Sequence, residues 1–415
     1  MFLPPRNDAL KVAVWGINYA PELTGIGPYN RALCEYFAAR GHEVEVFTTF
    51  PYYPAWEKCP ADRGKIYRRE ILSGVTVHRC WHWVPKPGRA WKRILHEFSF
   101  VAHTALRLLF SRKFDILIVV SPPLLLGAAV ATICFLRGEK YVFHVQDLQP
   151  DAARTLQMLK PGLFMKILYW LEKVAYSRAW KISGIGTAML RAMEKKGHPV
   201  NKLILFPNGV VLPEKRKAPY PGTFRQKHGI GPEEILAVYS GNVGYKQGLP
   251  VLIATARLLG SQPVRIVIAG DGAYRTILDA ILREKPCDRI LMLPIQPEQD
   301  YEDMLLDADI CAIPQISGTG ALFLPSKLLK ILALGKPVVA TCDPESALAQ
   351  AITEGNFGKI LPAESHESLR EFLENLSTRK ADLAAWGENG RRYVERYEMT
   401  RTLQEFEKVL LTAKA

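Results

Sequence analysis

The segment GTGALFLPSKLLKILALGKPVVA, residues 318–340, has the pattern of a loop, a helix and a strand of an α/β protein. Its glycine-rich start is followed by Pro325 and Ser326, which favour the first turn and N-cap of a helix. Gly335 and Pro337 end that helix, and the apolar run after them is typical of a buried strand. Unpaired N–H groups at the helix start would suit an anion such as a diphosphate, although an ordinary βα turn explains the same pattern.

The same strand, loop and helix pattern recurs outward from this segment. Residues 235–240 form a predicted strand before a glycine loop, and residues 11–16 form another before a second such loop. We therefore predict an α/β fold with two Rossmann-like doubly wound domains facing each other across a cleft. The predicted boundaries are residues 1–212 for the first domain, 213–392 for the second and 393–415 for a terminal helix packing back on the first domain.

Composition supports two soluble globular domains. The chain has 415 residues, 48% of them hydrophobic and 23% charged, which is ordinary for globular proteins. Its seven scattered cysteines lack metal-ligand spacing, so reduced thiols in the cytoplasm are expected. Residues 1–10 do not resemble a secretory signal. Residues 116–136 are uncharged and long enough to span a bilayer, but Pro122-Pro123 and a β-branched run favour a strand followed by a buried helix.

Positive charge is concentrated in one segment. Residues 58–113 contain thirteen Lys or Arg and three acids, and so carry +10 of the net +13. Trp81, Trp83, Trp91 and Phe98 are interspersed, and a helix is predicted over about 90–111. Basic and aromatic side chains together suit the anionic surface of a membrane. A solvated basic face would show the same pattern, and no nucleic-acid motif accompanies the charges, so no nucleic-acid partner is expected.

Candidate site residues lie in the loops that follow strands. Eight of these residues are expected to approach a bound diphosphate: Gly25, Gly27, Gly241, Asn242, Gly272, Ser326, Lys327 and Lys330. Lys246, next to the second glycine loop, is a further source of positive charge. In the first half, His144, Gln146, Asp147 and Asp151 form a dense polar cluster that suits sugar hydroxyls or proton transfer. A structural histidine at 144 and a turn or N-cap role for Asp147 are the alternatives.

No metal site is expected. Asp307 and Asp309 have the D-x-D spacing of a metal site, but one ends a predicted helix and the other opens a buried strand, so turn geometry explains them better. We expect no essential metal and no cofactor.

Taken together, several motifs resemble those of glycosyltransferase family 4, the retaining nucleotide-sugar enzymes with the GT-B fold. They are YAPELTGIG at 19–27, NGV at 208–210, GDG at 270–272, PSK at 325–327 and LGKPVV at 334–339. Within that family the chain looks closest to the colanic acid biosynthesis fucosyltransferase-type enzymes. The resemblance implies that the loop containing Gly25 and Gly27 approaches the donor diphosphate and the transferred sugar.

The chain departs from the family pattern at several positions. Asn242 and Gln247 stand where the family usually has Arg and Lys, with Lys246 adjacent. The family's His-Asp pair maps to Gln146-Asp147, so His144 is displaced by two residues on the same strand face. Leu322 and Lys330 replace two glutamates that usually contact the donor. Lys330 would then contact phosphate or face solvent.

The resemblance implies a metal-independent retaining hexosyltransferase, in which residues 1–212 bind the acceptor and residues 213–392 bind the nucleotide-sugar donor. It would move a sugar, possibly fucose from GDP-fucose, from a nucleoside diphosphate to a polyprenyl-diphosphate-linked glycan in exopolysaccharide assembly. Its catalytic residues would be His144, Asp147, Lys246 and Lys327. It would act in the cytoplasm, held peripherally at the inner membrane by residues 58–113. The alternatives are a nucleotide-sugar epimerase or hydrolase of the same fold, which has no need of that basic segment, and an inactive glycan-binding family member.

Overall fold

The computed structural model describes residues 8–22, 25–86, 90–155, 162–213, 222–320 and 324–414. The chain forms two compact units, one made of Met1–Gly209 with Thr400–Ala415 and the other of Val210–Met399. The chain therefore passes from one unit to the other after residue 209 and again after residue 399. The sequence predicted these boundaries after residues 212 and 392.

The first unit is built on an eight-stranded sheet with the order β3-β4-β2-β1-β5-β6-β7-β8. Only β3, at one edge, runs antiparallel to its neighbour. The central strands are apolar and buried on both faces, as expected for a parallel sheet. The strands are β1 Lys11–Trp15, β2 Glu43–Thr49, β3 Tyr67–Leu72, β4 Val75–Cys80, β5 Ile116–Ser121, β6 Tyr141–Val145, β7 Lys181–Gly184 and β8 Leu203–Leu205.

Helices cover both faces of this sheet. The rule of right-handed crossovers places α1 on one face and α2, α3, α5 and α6 on the other. The last helix, α15, packs with the first unit, where Phe406 stacks on Phe206 with ring centroids 3.9 Å apart. The helices are α1 Gly27–Ala39, α2 Ala90–Leu109, α3 Leu125–Arg137, α4 Gln149–Thr155, α5 Leu163–Ser177, α6 Thr187–Lys195 and α15 Met399–Leu411.

The second unit has a six-stranded, fully parallel sheet with the order β11-β10-β9-β12-β13-β14. Its strands are β9 Ile235–Ser240, β10 Val264–Ala269, β11 Ile290–Leu293, β12 Ile310–Pro314, β13 Val338–Thr341 and β14 Gly358–Leu361. Its helices are α7 Thr223–Lys227, α8 Pro250–Leu258, α9 Arg275–Glu284, α10 Glu298–Asp307, α11 Lys327–Ala333, α12 Ala347–Gly355, α13 His366–Glu374 and α14 Lys380–Val394. An α/β fold with two Rossmann-like cores is thus confirmed.

The glycines at 387 and 390 predict a break in the helical region 381–413, and this prediction is wrong. The glycines at 387 and 390 do not interrupt α14. They let it pack closely on the end of α11, because a Cβ at Gly387 would lie 2.3 Å from the Gly335 carbonyl oxygen and one at Gly390 would lie 2.7 Å from Leu332 Cδ2. The interruption comes after α14, in the 3₁₀ turn Glu395–Tyr397.

The apolar segment at 116–136 folds as a buried strand and a helix, β5 and α3, joined through Pro122-Pro123. In the part of the chain that the structure describes, no helix is long and apolar enough to cross a membrane. All seven cysteines fall within the described ranges and are free thiols.

Candidate functional site

The central feature of the second unit is the side chain of Lys327, at the first position of α11. Its Nζ atom is buried and lies 3.5 Å from the centroid of the Tyr239 ring at the end of β9. Nζ has no hydrogen-bond partner among the described residues. Burial holds the pKa of the Lys327 ammonium well below its usual range. A lone buried cation is costly, so an anionic ligand would be strongly favoured at this point.

Gly241 presents bare backbone next to this lysine, and two glycines of the neighbouring loop pack closely on the loop that contains Gly241. Gly241 follows β9 with φ +124°, and a Cβ there would lie 3.6 Å from Lys327 Nζ. Gly270 and Gly272 follow β10 with φ values of +145° and +155°. A Cβ on Gly270 would meet the Gly241 carbonyl oxygen at 1.9 Å, and one on Gly272 would meet Asn242 Oδ1 at 2.5 Å. Only glycine permits this close approach of the two loops.

Further unsatisfied polar atoms lie along the same edge of the sheet. Strands β9, β12 and β13 are neighbours, and their carboxyl ends or the loops after them carry Ser240, Gln247, Gln315 and Thr341. Within the described ranges, one buried side-chain oxygen of each of these four residues lacks a hydrogen-bond partner, as does Lys327 Nζ. Each such atom costs about 1–3 kcal/mol. Their shared position at the carboxyl edge is where parallel α/β sheets bind ligands.

The other predicted residues of the second unit have mixed positions. Lys246 lies in the 3₁₀ turn Tyr245–Gln247, whose packing is fixed by the Ile316 N–H donating to the Lys246 carbonyl at 3.3 Å. Ser326 is the N-cap of α11 without a side-chain cap bond. That helix has seven residues, so its dipole is small and the lysine carries the positive charge. Leu322 lies outside the described residues.

Lys330 was expected to contact phosphate or face solvent. Its Nζ instead forms an ion pair with Glu302 of α10. One turn beyond Lys327 on α11, this ammonium is thus neutralised by the neighbouring helix.

In the first unit, the loop between β1 and α1 is held by a buried carboxylate. Glu22 Oε1 accepts the Tyr52 and Tyr53 N–H groups at 3.0 and 2.9 Å. Its Oε2 accepts Asn18 Nδ2 at 2.8 Å. Gly25 has φ +68°, and a Cβ there would lie 3.4 Å from the Tyr53 ring. A Cβ at Gly27, the first residue of α1, would lie 3.1 Å from the Glu22 carbonyl oxygen.

A buried arginine holds the same loop from β4. Arg79, 1% exposed, donates to the Ala20 carbonyl at 2.5 Å and to the Thr49 carbonyl at 3.2 Å, and it pairs with Glu70. The sequence placed Arg79 in the basic segment available to a membrane. The structure uses it inside the protein, and it ties the glycine loop to the end of β2.

His144 is buried within β6, and its predicted role as a proton shuttle is not supported by its contacts. Its Nδ1 lies 2.8 Å from Ser183 Oγ, and its Nε2 accepts from Gln146 Nε2 at 2.8 Å. Gln146 and Asn208 exchange two further hydrogen bonds of 2.9 Å. Burial lowers the pKa of His144 to about 3. The neutral ring therefore positions Gln146, which directly precedes the half-buried Asp147.

The two aspartates with D-x-D spacing serve the local fold. Asp307 accepts the Gly222 and Arg225 N–H groups at 2.9 Å each, and Asp309 pairs with Arg225 at 2.7 Å. The described ranges contain no group of three His, Cys, Asp or Glu that could hold a metal ion.

Comparison with known proteins places this geometry in a family. Residues 24–209 match the model of the Glycosyl transferase 4-like domain, and residues 222–393 match that of Glycosyl transferases group 1. The chain is 31% identical over 348 residues to WcaI of Escherichia coli strain K12, which is named as a colanic acid biosynthesis glycosyl transferase. That match covers 82% of this chain and 85% of WcaI. The chain belongs to the glycosyltransferases.

Solved structures show the GT-B fold of this glycosyltransferase. Sucrose-phosphate synthase from Thermosynechococcus elongatus matches with a TM-score of 0.74 at 16% identity, covering 98% of this chain and all of that one. HepE of Anabaena in complex with UDP-glucose matches with a TM-score of 0.71 at 13% identity, covering 97% and 100%. The resemblance predicted from the motifs is thereby confirmed.

The motifs in the sequence did not identify several residues of this candidate site. Ser240, Gln315 and Thr341 each end or follow a buried strand, so their position along the chain was a usable signal. Glu22 stood within the quoted YAPELTGIG motif without receiving a role. The internal role of Arg79 depends on carbonyls far away in the chain, and no local pattern reveals it.

Proposed function

We propose that this glycosyltransferase transfers a sugar, with retention, from a nucleoside diphosphate donor to a lipid-linked oligosaccharide in the assembly of a colanic-acid-like exopolysaccharide. The observation that carries the donor half of the proposal is the buried Lys327 ammonium against Gly241. A diphosphate placed there would neutralise that charge, and the bare glycine backbone would let it approach.

The polar atoms around Lys327 support this role. Hydroxyl and amide oxygens of Ser240, Gln315 and Thr341 could accept from the hydroxyls of a ribose or sugar. Lys327 would stabilise the negative charge that develops on the departing diphosphate. HepE, of the same fold, was solved with UDP-glucose, which supports a nucleotide-sugar ligand for this site. Lys246 would contribute a second positive charge.

In the first unit, Asp147 is proposed to contact the transferred sugar from the end of β6, and Gly25 and Gly27 would let the ligand approach the loop. His144 would act by positioning Gln146 and Asp147. Proton transfer would then fall to the departing diphosphate, which accepts the proton of the acceptor hydroxyl on the same face of the sugar.

The acceptor half of the proposal is supported by the similarity to WcaI and by α2. This helix exposes Trp91, Ile94, Leu95 and Phe98. Helices normally turn such residues inward. An outward apolar face next to Lys92 and Arg93 suits an anionic bilayer that presents a polyprenyl-linked acceptor.

The experiment that tests the donor half is a thermal-shift panel of GDP-, UDP- and dTDP-sugars on the full chain. A donor at 100 times its Kd should stabilise the protein by about 2.7 kcal/mol. We expect one nucleotide class to raise Tm in the wild type and to have no effect on Lys327→Met. A shift that persists in Lys327→Met, or no shift with any nucleotide sugar, would overturn the proposed donor site.

A further inference from the structure

Three helices of the first unit form one layer on the same face of its sheet. Helix α3 packs between α2 and α5, in keeping with right-handed crossovers. Gly127 of α3 brings α3 and α5 very close, because a Cβ there would lie 2.2 Å from Ala175 Cβ. The two helices therefore present their outer sides as one rigid surface.

The outer side of α5 is apolar. Leu163, Ile167 and Trp170 are spaced by four and three residues, so they share one side of the helix. They are 76%, 42% and 60% exposed, and Phe164 beside them is also exposed. An apolar stripe of this kind ordinarily faces the core. Here it faces outward, and exposed apolar surface of this extent marks an interaction site.

The acidic and the basic residues of α5 lie on different sides of the helix. Its one acid, Glu172, is buried and bonded to Lys196 at 2.6 Å. Lys166 and Lys173 are exposed next to the apolar stripe. The outer side of α5 therefore combines apolar and cationic side chains without an exposed carboxylate.

The neighbouring helices continue this surface. On α2, the outward Trp91, Ile94 and Phe98 contrast with a buried side that carries polar residues such as Thr104. Phe135 and Leu136 are exposed at the end of α3, and Arg178 lies 4.6 Å above the Phe135 ring, measured to its centroid. An apolar and basic surface thus extends over all three helices.

We infer that α5 docks on an anionic lipid bilayer together with α2, so that the membrane-binding surface reaches well beyond residues 58–113. The inference rests on the proposed function, in which the acceptor is held in a membrane. Apolar side chains would enter the interface between headgroups and acyl chains, while Lys166 and Lys173 would meet the headgroup phosphates. Charge complementarity favours an anionic bilayer over a second copy of this chain, because two copies of this basic surface would repel each other.

The test is sedimentation of the full chain with vesicles of phosphatidylethanolamine and phosphatidylglycerol. The double variant Ile167→Glu/Trp170→Glu should bind at least about fivefold more weakly than the wild type. The matched control Leu258→Glu/Ile277→Glu replaces two exposed apolar residues of the second unit with the same charge change, and it should bind like the wild type. A retained donor-induced thermal shift would show that the α5 variant is folded.

A second measurement places α5 in the bilayer directly. Brominated phosphatidylglycerol should quench part of the tryptophan fluorescence. Trp170→Phe should lose some of that quenching, whereas Trp386→Phe, in α14 of the second unit, should lose none. Equal quenching in Trp170→Phe and the wild type would contradict the inference.

Two further outcomes would overturn the inference that α5 docks on a bilayer. One is undiminished vesicle binding by the Ile167→Glu/Trp170→Glu variant. The other is a wild-type dimer in sedimentation velocity that this variant breaks while vesicle binding stays unchanged, since the stripe would then join two copies. Vesicle binding needs no donor, so failure here is distinguishable from failure of the proposed donor site, which would appear as a missing nucleotide-sugar shift.

Discussion

The loops at the carboxyl edges of the two sheets are built in opposite ways. In the first unit, Glu22 and Arg79 are buried charges whose hydrogen bonds are made within the protein. In the second unit, Lys327 is a buried charge without such a bond among the residues that the structure describes. The two buried charges that hold the first loop are therefore satisfied within the protein, whereas the buried Lys327 ammonium of the second unit carries a free-energy cost that a ligand would remove.

The largest expected effect is that of Lys327→Met. Turnover should fall at least about tenfold, because charge stabilisation of the leaving diphosphate is lost. The folded protein should become more stable by at least about 1 kcal/mol, since a buried ammonium that has no hydrogen-bond partner among the described residues is replaced by an apolar chain. Steady-state kinetics and a thermal scan, with a rise in Tm of about 2–4 °C, check both parts.

Lys336→Met is the matched control. This half-buried lysine of the same unit donates to the Leu306 and Ala308 carbonyls at 2.5 and 3.0 Å. Removing it leaves two acceptors unsatisfied, so stability should fall rather than rise. If both variants lose stability, Lys327 has an internal partner and the comparison fails.

The first loop gives the opposite prediction for stability. Arg79→Met should destabilise the protein by about 2–3 kcal/mol, because the Ala20 and Thr49 carbonyls lose their donor. Among the described residues, Glu70 would keep only its ion pair with Arg68. Urea unfolding measures this loss. Arg69→Met, which replaces an exposed arginine on β3, is the control and should change stability by less than about 0.5 kcal/mol. Equal effects of the two variants would show that the loop is held by something else.

The pH dependence of Lys327→Met follows from the depressed pKa of Lys327. Its folded-state pKa lies below the unfolded one, so the unfolded state binds the additional proton and the wild type loses stability as pH falls from about 10.4. The Tm advantage of Lys327→Met should therefore shrink as pH rises towards about 10. Thermal scans from neutral to alkaline pH measure it. A pH-independent advantage would mean that packing, not charge, explains it.

Donor binding should also take up protons. A diphosphate beside Lys327 favours the charged ammonium and raises its depressed pKa. Calorimetric titrations in buffers of different ionisation enthalpy should show net proton uptake above the free-state pKa, and Lys327→Met should show none.

The smallest effect is expected at Lys330. Its ion pair with Glu302 is partly exposed, so Lys330→Met should cost less than about 1 kcal/mol. Donor affinity should change by less than about twofold if this lysine does not touch phosphate. A tenfold loss of affinity in the nucleotide-sugar titration would restore Lys330 to the donor site.

The sequence predicted what depends on local pattern. Both Rossmann-like cores, the strand at 235–240 and the start of the helix at 326–327 followed from apolar runs and from Pro, Ser and Gly positions. It did not predict partners far away in the chain. The ion pair of Lys330 with Glu302 and the bonds of Arg79 to the Ala20 and Thr49 carbonyls arise only when the sheets form.

The sequence also did not show which side chains are buried. His144 looked exposed to chemistry because it stood among polar residues at a strand end, yet its strand lies inside the sheet and Ser183 of β7 satisfies its ring. The outward apolar side of α5 was equally hidden, because periodicity shows that a helix is amphipathic but not which side faces the core.

The path of the chain has a consequence for synthesis. The second unit is continuous from 210 to 399, but the first needs residues 400–415, where Glu407 accepts a hydrogen bond from Tyr36 at 3.0 Å and bonds His42 at 2.9 Å. During synthesis the second unit is therefore complete before the first unit, which still waits for its C-terminal helix. A nonsense codon directly after Met399 would leave the second unit whole and remove from the first unit the helix α15 that packs on it.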